Sequence, residues 1–257
     1  MYSRFYKPKP RLKTQKEIEL LRKANAIVME ILLYLKEEVK PGRNTYEFEE
    51  MAIKLCEKKG VKPAFKGYRG YPYALCVSVN EEIVHGMPRK EKVLKEGDIV
   101  SFDFGVIYEG YFGDAALTVG VGKISEEAEK LLKVTEEALY KGIEKAHFGN
   151  KIGDISYAIQ AYVEKYGFNV IRDFVGHGIG RDLHEPPEVP NYGKPGRGPK
   201  IEIGMTIAIE PMVSAGTYEI EILEDGWTAV TKDRSLAAHF EHTIAITPKG
   251  PKILSRI

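Results

Sequence analysis

GDIVSFDFGVIYEGYFGDAALTVG, residues 97 to 120, reads as two β-strands joined by a tight turn. Val, Ile, Phe and Tyr fill both arms, and Glu109-Gly110 supplies the turn. Two acids are out of place: Asp103 in IVSFDFGV and Asp114 in YFGDAALTV interrupt apolar runs, where an unpartnered carboxylate is costly. A turn at 109–110 pairs position 103 with 116. Residue 114 then becomes a diagonal neighbour of 103 on the same face, roughly 7–8 Å away. Both carboxylates therefore aim at one spot.

A matching stretch follows. GMTIAIEP, residues 204–211, aligns with GDIVSFDF at an offset of 107 residues (Gly97 to Gly204) and sets Glu210 on Asp103. The same offset carries Gly42–Gly60 onto Gly149–Gly167, Glu57 onto Glu164 and Lys58 onto Lys165. A constant offset across helical and strand segments indicates a duplicated unit.

The helices lie outward of these strands in each copy. Thr14-Gln-Lys-Glu17 has the form of a capping box, and Ile18, Leu21, Ala24, Val28, Ile31 and Leu35 follow at helical spacing. A helix over Thr14–Val39 ends at Pro41-Gly42, and a second over Thr45–Lys58 ends at Gly60. In the second copy helices are expected from Ser125 to about Ala146 and from Gly153 to Tyr166. The strands NVIRDFV, GMTIAIEPMV, YEIEIL, WTAVTK and HTIAIT follow. The expected fold class is α+β: a duplicated helix–helix–antiparallel-strand unit with pseudo-twofold symmetry, one curved sheet, and helices on its outer face. Residues 1–11 form an N-terminal arm. Residues 12–257 form a single catalytic domain of two halves, about 12–121 and 125–247.

Glu241, in AHFEHTIAI, is a fourth acid in a β-like apolar run, and FVGHGIGRDLHEPPEVPN (Phe174–Asn191) holds His177 and His184 among glycines and prolines. Taken singly, each acid passes as a hydrogen-bonded strand-end side chain and each histidine as a loop residue. As a set, converging carboxylates repel unless a cation sits among them. A divalent ion, or a pair ~3.5–4 Å apart bridged by carboxylates, removes that conflict. One imidazole with four carboxylates suits Mn, Fe or Co, with Zn also possible.

Composition narrows the class. With 43% hydrophobic and 29% charged residues and a net charge of +1, the chain reads as soluble and globular, with no support for a membrane or specific nucleic-acid partner. MYSRFYKPKPRLKT at the N-terminus has no apolar core and is not a secretory signal. Cys56 and Cys76 are too few for a disulfide framework and fit a cytoplasmic protein. No heptad seam or long exposed apolar run argues for more than a monomer.

Five motifs carry a family resemblance over nearly all of the chain from about residue 12: NEEIVHGMP (Asn80–Pro88), DFGVIYEGYFGD (Asp103–Asp114), GHGIGRDLHEPP (Gly176–Pro187), AIEPMV (Ala208–Val213) and DGWTAVTKDRSLAAHFEHT (Asp225–Thr243). Together they resemble the type I methionine aminopeptidases, metallopeptidases of the pita-bread fold. The resemblance implies that Asp103, Asp114, His177, Glu210 and Glu241 hold two divalent ions (Co, Mn, Fe or Zn). It implies hydrolysis of the first peptide bond by a metal-activated water, and so removal of the initiator methionine from nascent chains, in the cytoplasm near the ribosome. Glu210 would also shuttle the proton, His184 would donate to the reacting carbonyl, and His85 would place the second residue of the peptide. Tyr68, Tyr71, Cys76, Leu183 and Trp227, with Phe65 at the edge, would wall the methionine pocket. The chain departs from the family pattern at Arg69, where many members carry His, at Leu183, where an aromatic is expected, and at His239, where Gln is common. A prolidase or Xaa-Pro aminopeptidase of the same fold, and a non-catalytic peptide-binding module that has lost its ligands, are the competing readings. The short N-terminal arm disfavours the first and the intact ligand set the second.

Overall fold

The computed structural model describes residues 9–256, so residues 1–8 of the expected arm lie outside the described residues. Four helices form where the apolar spacing places them. Helix α1 (Gln15–Glu37) is capped by the Thr14–Glu17 box and α2 (Thr45–Lys59) by Asn44–Glu47, with Gly60 left-handed behind it. In the second half, α3 (Glu126–Ile143) follows the Ser125 cap, and α4 (Ile152–Lys165) completes the set.

The strands of the first half are β1 (Lys62–Pro63), β2 (Leu75–Val79), β3 (Glu82–Val84), β4 (Ile99–Tyr108) and β5 (Tyr111–Gly120). Those of the second are β6 (Asn169–Val170), β7 (Gly176–Gly178), β8 (Glu185–Val189), β9 (Thr206–Ile209), β10 (Met212–Ser214), β11 (Ile220–Ile222), β12 (Ala229–Thr231), β13 (Ala237–His239), β14 (Glu241–Thr247) and β15 (Gly250–Ile253). The strand pairs are antiparallel, and the central order is β1-β4-β5-β14-β9-β7-β8, with β2 beside β4 and β15 beside β14.

Two expectations change in detail. The hydrogen bonds run through one nine-stranded sheet and two three-stranded ones, β13-β10-β6 and β11-β12-β3, instead of one sheet. The run GMTIAIEPMV is also two strands, because Pro211 has no N–H to continue the ladder beyond Glu210.

The duplication is visible in the backbone. Asn44 bridges Val93 and Lys151 bridges Lys200, each member displaced by the offset seen in the sequence. The N–H of Gly42 donates to Leu94 and that of Gly149 to Ile201; Thr45 donates to Lys92 and Ile152 to Pro199. Gly97 and Gly204 turn with φ of 93° and 91°.

Helix α1 lies on β4 and β5, and α3 packs on α4 and β13. Leu21, Ala24, Val28, Ile31, Leu32 and Leu35 of α1 are buried. Burial of such side chains, roughly 1.5–3 kcal/mol each, is the main force that holds helix to sheet. Among the described residues no helix is long and apolar enough to cross a membrane.

Candidate metal centre and its pocket

The β4–β5 hairpin forms as its sequence dictates. Glu109 and Gly110 both adopt positive φ (48° and 78°), the turn that matches the twist of two strands, and Asp103 pairs with Ala116. Ala116 pairs on its other side with Glu241 of β14. Asp114 is two residues from Ala116 along β5 and so shares its face. The pairing of His242 with Ile209 brings Glu210, the residue after β9, beside Glu241. Four carboxylates thus converge from the β4–β5 hairpin and the neighbouring β14–β9 pair.

Asp114 is held by two side chains from outside its own hairpin. Its N–H donates to Asn25 Oδ1 of α1 at 3.2 Å, and its carbonyl accepts from Thr243 Oγ1 at 2.9 Å. Helix α1 comes this close because residue 113 is glycine: a Cβ there would stand 2.6 Å from the Ala24 carbonyl carbon. His177 is brought in by β7, squeezed between β8 and β9. A Cβ at Gly178 would lie 2.3 Å from the Pro186 oxygen, and one at Gly176 2.4 Å from that of Ala208. This is what the glycines on either side of His177 are for.

His177 Nδ1 lies 2.9 Å from the Gly178 carbonyl, so the proton sits on Nδ1 and the Nε2 lone pair faces the acids. Nε2 is 3.5 Å from Glu210 Oε1 and 3.8 Å from Asp114 Oδ2. Acceptors face acceptors with no donor between them. Asp114 Oδ1, Glu210 Oε1 and Glu241 Oε1 are buried without a hydrogen-bond partner. Donor atoms of Asp114, His177 and Glu241 lie within 4.8 Å of one another. A buried set of electron-pair donors with three unpartnered carboxylate oxygens fits a divalent cation, which would let the acids stay ionised.

The electrostatics agree. Burial pushes the Asp103 carboxyl up to about 7. Burial, then the charges of the neighbouring acids, raise Asp114, Glu210 and Glu241 well above the carboxylate range. Burial lowers His177 and His85 to about 4, so both imidazoles are neutral at pH 7 and present a lone pair.

The same cavity, about 150 Å³, is lined by all the residues expected to wall a pocket: Phe65, Tyr68, Tyr71, Cys76, Leu183 and Trp227. His85, His184 and Arg69 line it as well. Trp227 meets Tyr71 edge-on, with centroids 5.2 Å apart, and Tyr71 is fixed by donating to the Gly86 and Leu75 carbonyls. His184 stacks on Tyr68, whose hydroxyl is 2.7 Å from His184 Nδ1, and its ring centroid is 4.2 Å from that of His177. His85, at φ 59°, packs edge-on to Phe174.

Two supports escape the sequence reading. Asn25 is one; a polar residue on the apolar stripe of α1, one turn from Leu21, was the available signal. The other is the ion pair of Lys13 with Glu185, both side chains buried, which ties the segment before α1 to the loop that carries His184. No sequence pattern links positions so far apart. His239 also gains a place: it is buried with neither ring nitrogen partnered, and its Nε2 is 3.8 Å from Glu210 Oε2.

Comparison with known proteins gives a consistent result. The model of metallopeptidase family M24 matches residues 19–248. The chain is 56% identical over 246 residues to the methionine aminopeptidase of Clostridium perfringens, covering 96% of this chain and 98% of that protein. The crystal structure of methionine aminopeptidase from Thermotoga maritima superposes with a TM-score of 0.95 at 53% identity, covering 97% of this chain and 100% of that one. The prolidase of Pyrococcus horikoshii is more distant: its TM-score is 0.78 at 25% identity, with 63% of its length covered.

Proposed function

The chain belongs to metallopeptidase family M24 as a type I methionine aminopeptidase, and from that premise we propose how its own residues do the work. The substrate is the N-terminal methionine of nascent polypeptides, met in the cytoplasm near the ribosome by a monomer. The domain runs from residue 12, with the halves 12–121 and 125–247 meeting at the site. The convergence of four carboxylates and His177 Nε2 with orphaned oxygens carries this reading.

Asp103, Asp114, His177, Glu210 and Glu241 would hold two divalent ions, from among Co, Mn, Fe and Zn. Bound there, such ions lower the pKa of water and polarise a carbonyl. Glu210, with Oε1 free of hydrogen bonds, accepts the proton of the attacking water and delivers it to the leaving amine. Tyr68 donates to His184 Nδ1, which leaves the proton on Nε2 and aims a donor at the carbonyl oxygen as charge builds there. His85 sets the second residue of the peptide. The aromatic wall of Tyr71 and Trp227, with Phe65, Tyr68, Cys76 and Leu183, takes the thioether.

The test is a metal titration of chelated protein with Met-Ala-Ser and Ala-Pro peptides. Release of Met, restored by at least one of Co, Mn, Fe or Zn and absent after chelation, is the expected result. Release from Ala-Pro alone would assign the chain to the prolidases, and no release with any metal would reject the proposal.

A further inference from the structure

The carboxylates and imidazoles of the pocket account for the chemistry at the first peptide bond. The arginine at its mouth is given no role by that account. Arg69 is exposed, and among the described residues its guanidinium makes no hydrogen bond or ion pair. It is the one arginine or lysine lining the cavity. Some exposed cations do have carboxylate partners, Arg234 with Glu221 and Lys232 with Glu219, but what sets Arg69 apart is its place on the cavity lining.

The backbone holds Arg69 in place. Gly67, Arg69 and Gly70 all have positive φ (85°, 50° and 92°), and Arg69 is the one residue of the three with a side chain to strain. Turn hydrogen bonds close the loop on itself: Gly67 donates to Tyr71, Gly70 to Gly67, and Tyr71 to Tyr68. A non-glycine residue in this conformation is uncommon and points to a constraint on where its side chain goes. That side chain lies over the Tyr68 ring, 5.4 Å from its centroid. Stacking limits the freedom of the guanidinium while leaving its donor edge open. Tyr68 in turn stacks on His184. The row His184–Tyr68–Arg69 therefore runs from the imidazole beside His177 to an exposed cation at the edge of the cavity.

We infer that Arg69 is a specificity-determining residue that favours an acidic side chain just downstream of the scissile bond, at the third residue of the peptide. The inference rests on the aminopeptidase reading above. The second residue sits against His85 and His184 inside the cavity. The third is the first to pass the mouth, since an extended chain advances about 3.3 Å per residue. An unpartnered guanidinium there attracts Asp or Glu and repels Lys or Arg. Exposed charge contacts are weak singly. Attraction of one peptide and repulsion of the other combine to a ratio of about three- to tenfold at low salt.

The experiment compares C-terminally amidated Met-Ala-Asp-Leu, Met-Ala-Asn-Leu and Met-Ala-Lys-Leu on the metal-loaded full chain. Amidation removes the terminal carboxylate that would mask the effect. Hydrolysis gives kcat/KM. Binding of ketomethylene isosteres of the same peptides is followed by the fluorescence of Trp227, the single tryptophan, which lines the cavity. Expected are the order Asp, Asn, Lys in both readouts, with the difference in KM, and its collapse at high salt. Arg69→Gln should flatten the order and Arg69→Glu should reverse it. No preference in the native protein, or a preference that survives in both variants, would overturn the inference. Absence of hydrolysis of all three peptides would count against the aminopeptidase reading, while the Kd order still decides the role of Arg69.

Discussion

Asn25→Leu is the most searching test of how the fold builds the site. Asn25 has no exposed surface, and its Oδ1 is the acceptor for the N–H of Asp114 across the α1–β5 contact. Leucine is close in shape, so the change removes an acceptor without opening a large cavity. The stranded N–H costs about 1–3 kcal/mol. The higher helix propensity of leucine offsets at most ~0.7 kcal/mol of that. The net loss of about 1–2 kcal/mol corresponds to a fall in Tm of about 2–8 °C for a domain of this size. A second effect separates this from ordinary destabilisation. Asp114 loses the bond that fixes its backbone, so affinity for Mn should fall about 10–100-fold, as for other partners that orient a ligand. Calorimetric melting and isothermal titration with Mn measure both. A Tm shift below about 1 °C, or a Tm loss with unchanged metal affinity, refutes the idea that α1 positions the site through Asn25.

The other predictions use the same geometry. His177→Ala removes the sole nitrogen donor of the cluster; metal affinity should drop by more than about 100-fold, beyond the effect of orienting partners, and release of Met should disappear with it. Gly113→Ala should cost about 1–3 kcal/mol or more, because the new Cβ meets helix backbone at 2.6 Å and neither element can yield. Combined with Asn25→Leu its effect should be less than additive, since both act on one contact. Burial pushes the Cys56 thiol up to about 12, so in the folded protein it should resist a disulfide exchange reagent at pH 8 and react on unfolding. The sign follows from linkage. The protonated thiol is favoured in the fold, so this contribution to stability is intact below the ordinary thiol pKa and is lost as pH rises toward 12.

Much of the fold was legible because its signals are local. Caps at Thr14 and Ser125, apolar spacing in α1 and the Glu109-Gly110 turn are set by residues within a few positions of one another. The offset between Gly97 and Gly204 added long-range information of a kind one sequence seldom holds, and it placed Asp103 and Glu210 in equivalent positions of the two halves. Strand ends were read less well. The break after Ile209 and the separation of β10–β13 into smaller sheets depend on which neighbour each strand finds.

By itself, then, the sequence determined the four helices, the β4–β5 hairpin, the duplicated unit that matches Asp103 with Glu210, and the acids that could not rest in apolar strands without a cation. Tertiary structure decided what surrounds them: that Asn25 and Thr243 hold Asp114, that Lys13 grips Glu185, that His239 lies 3.8 Å from Glu210, and that Arg69 lies over Tyr68 at the mouth of the pocket with no carboxylate partner among the described residues. The reason is physical. A carboxylate in an apolar run carries its desolvation cost wherever the chain goes. A hydrogen bond or ion pair between positions far apart exists only after packing has fixed their distance.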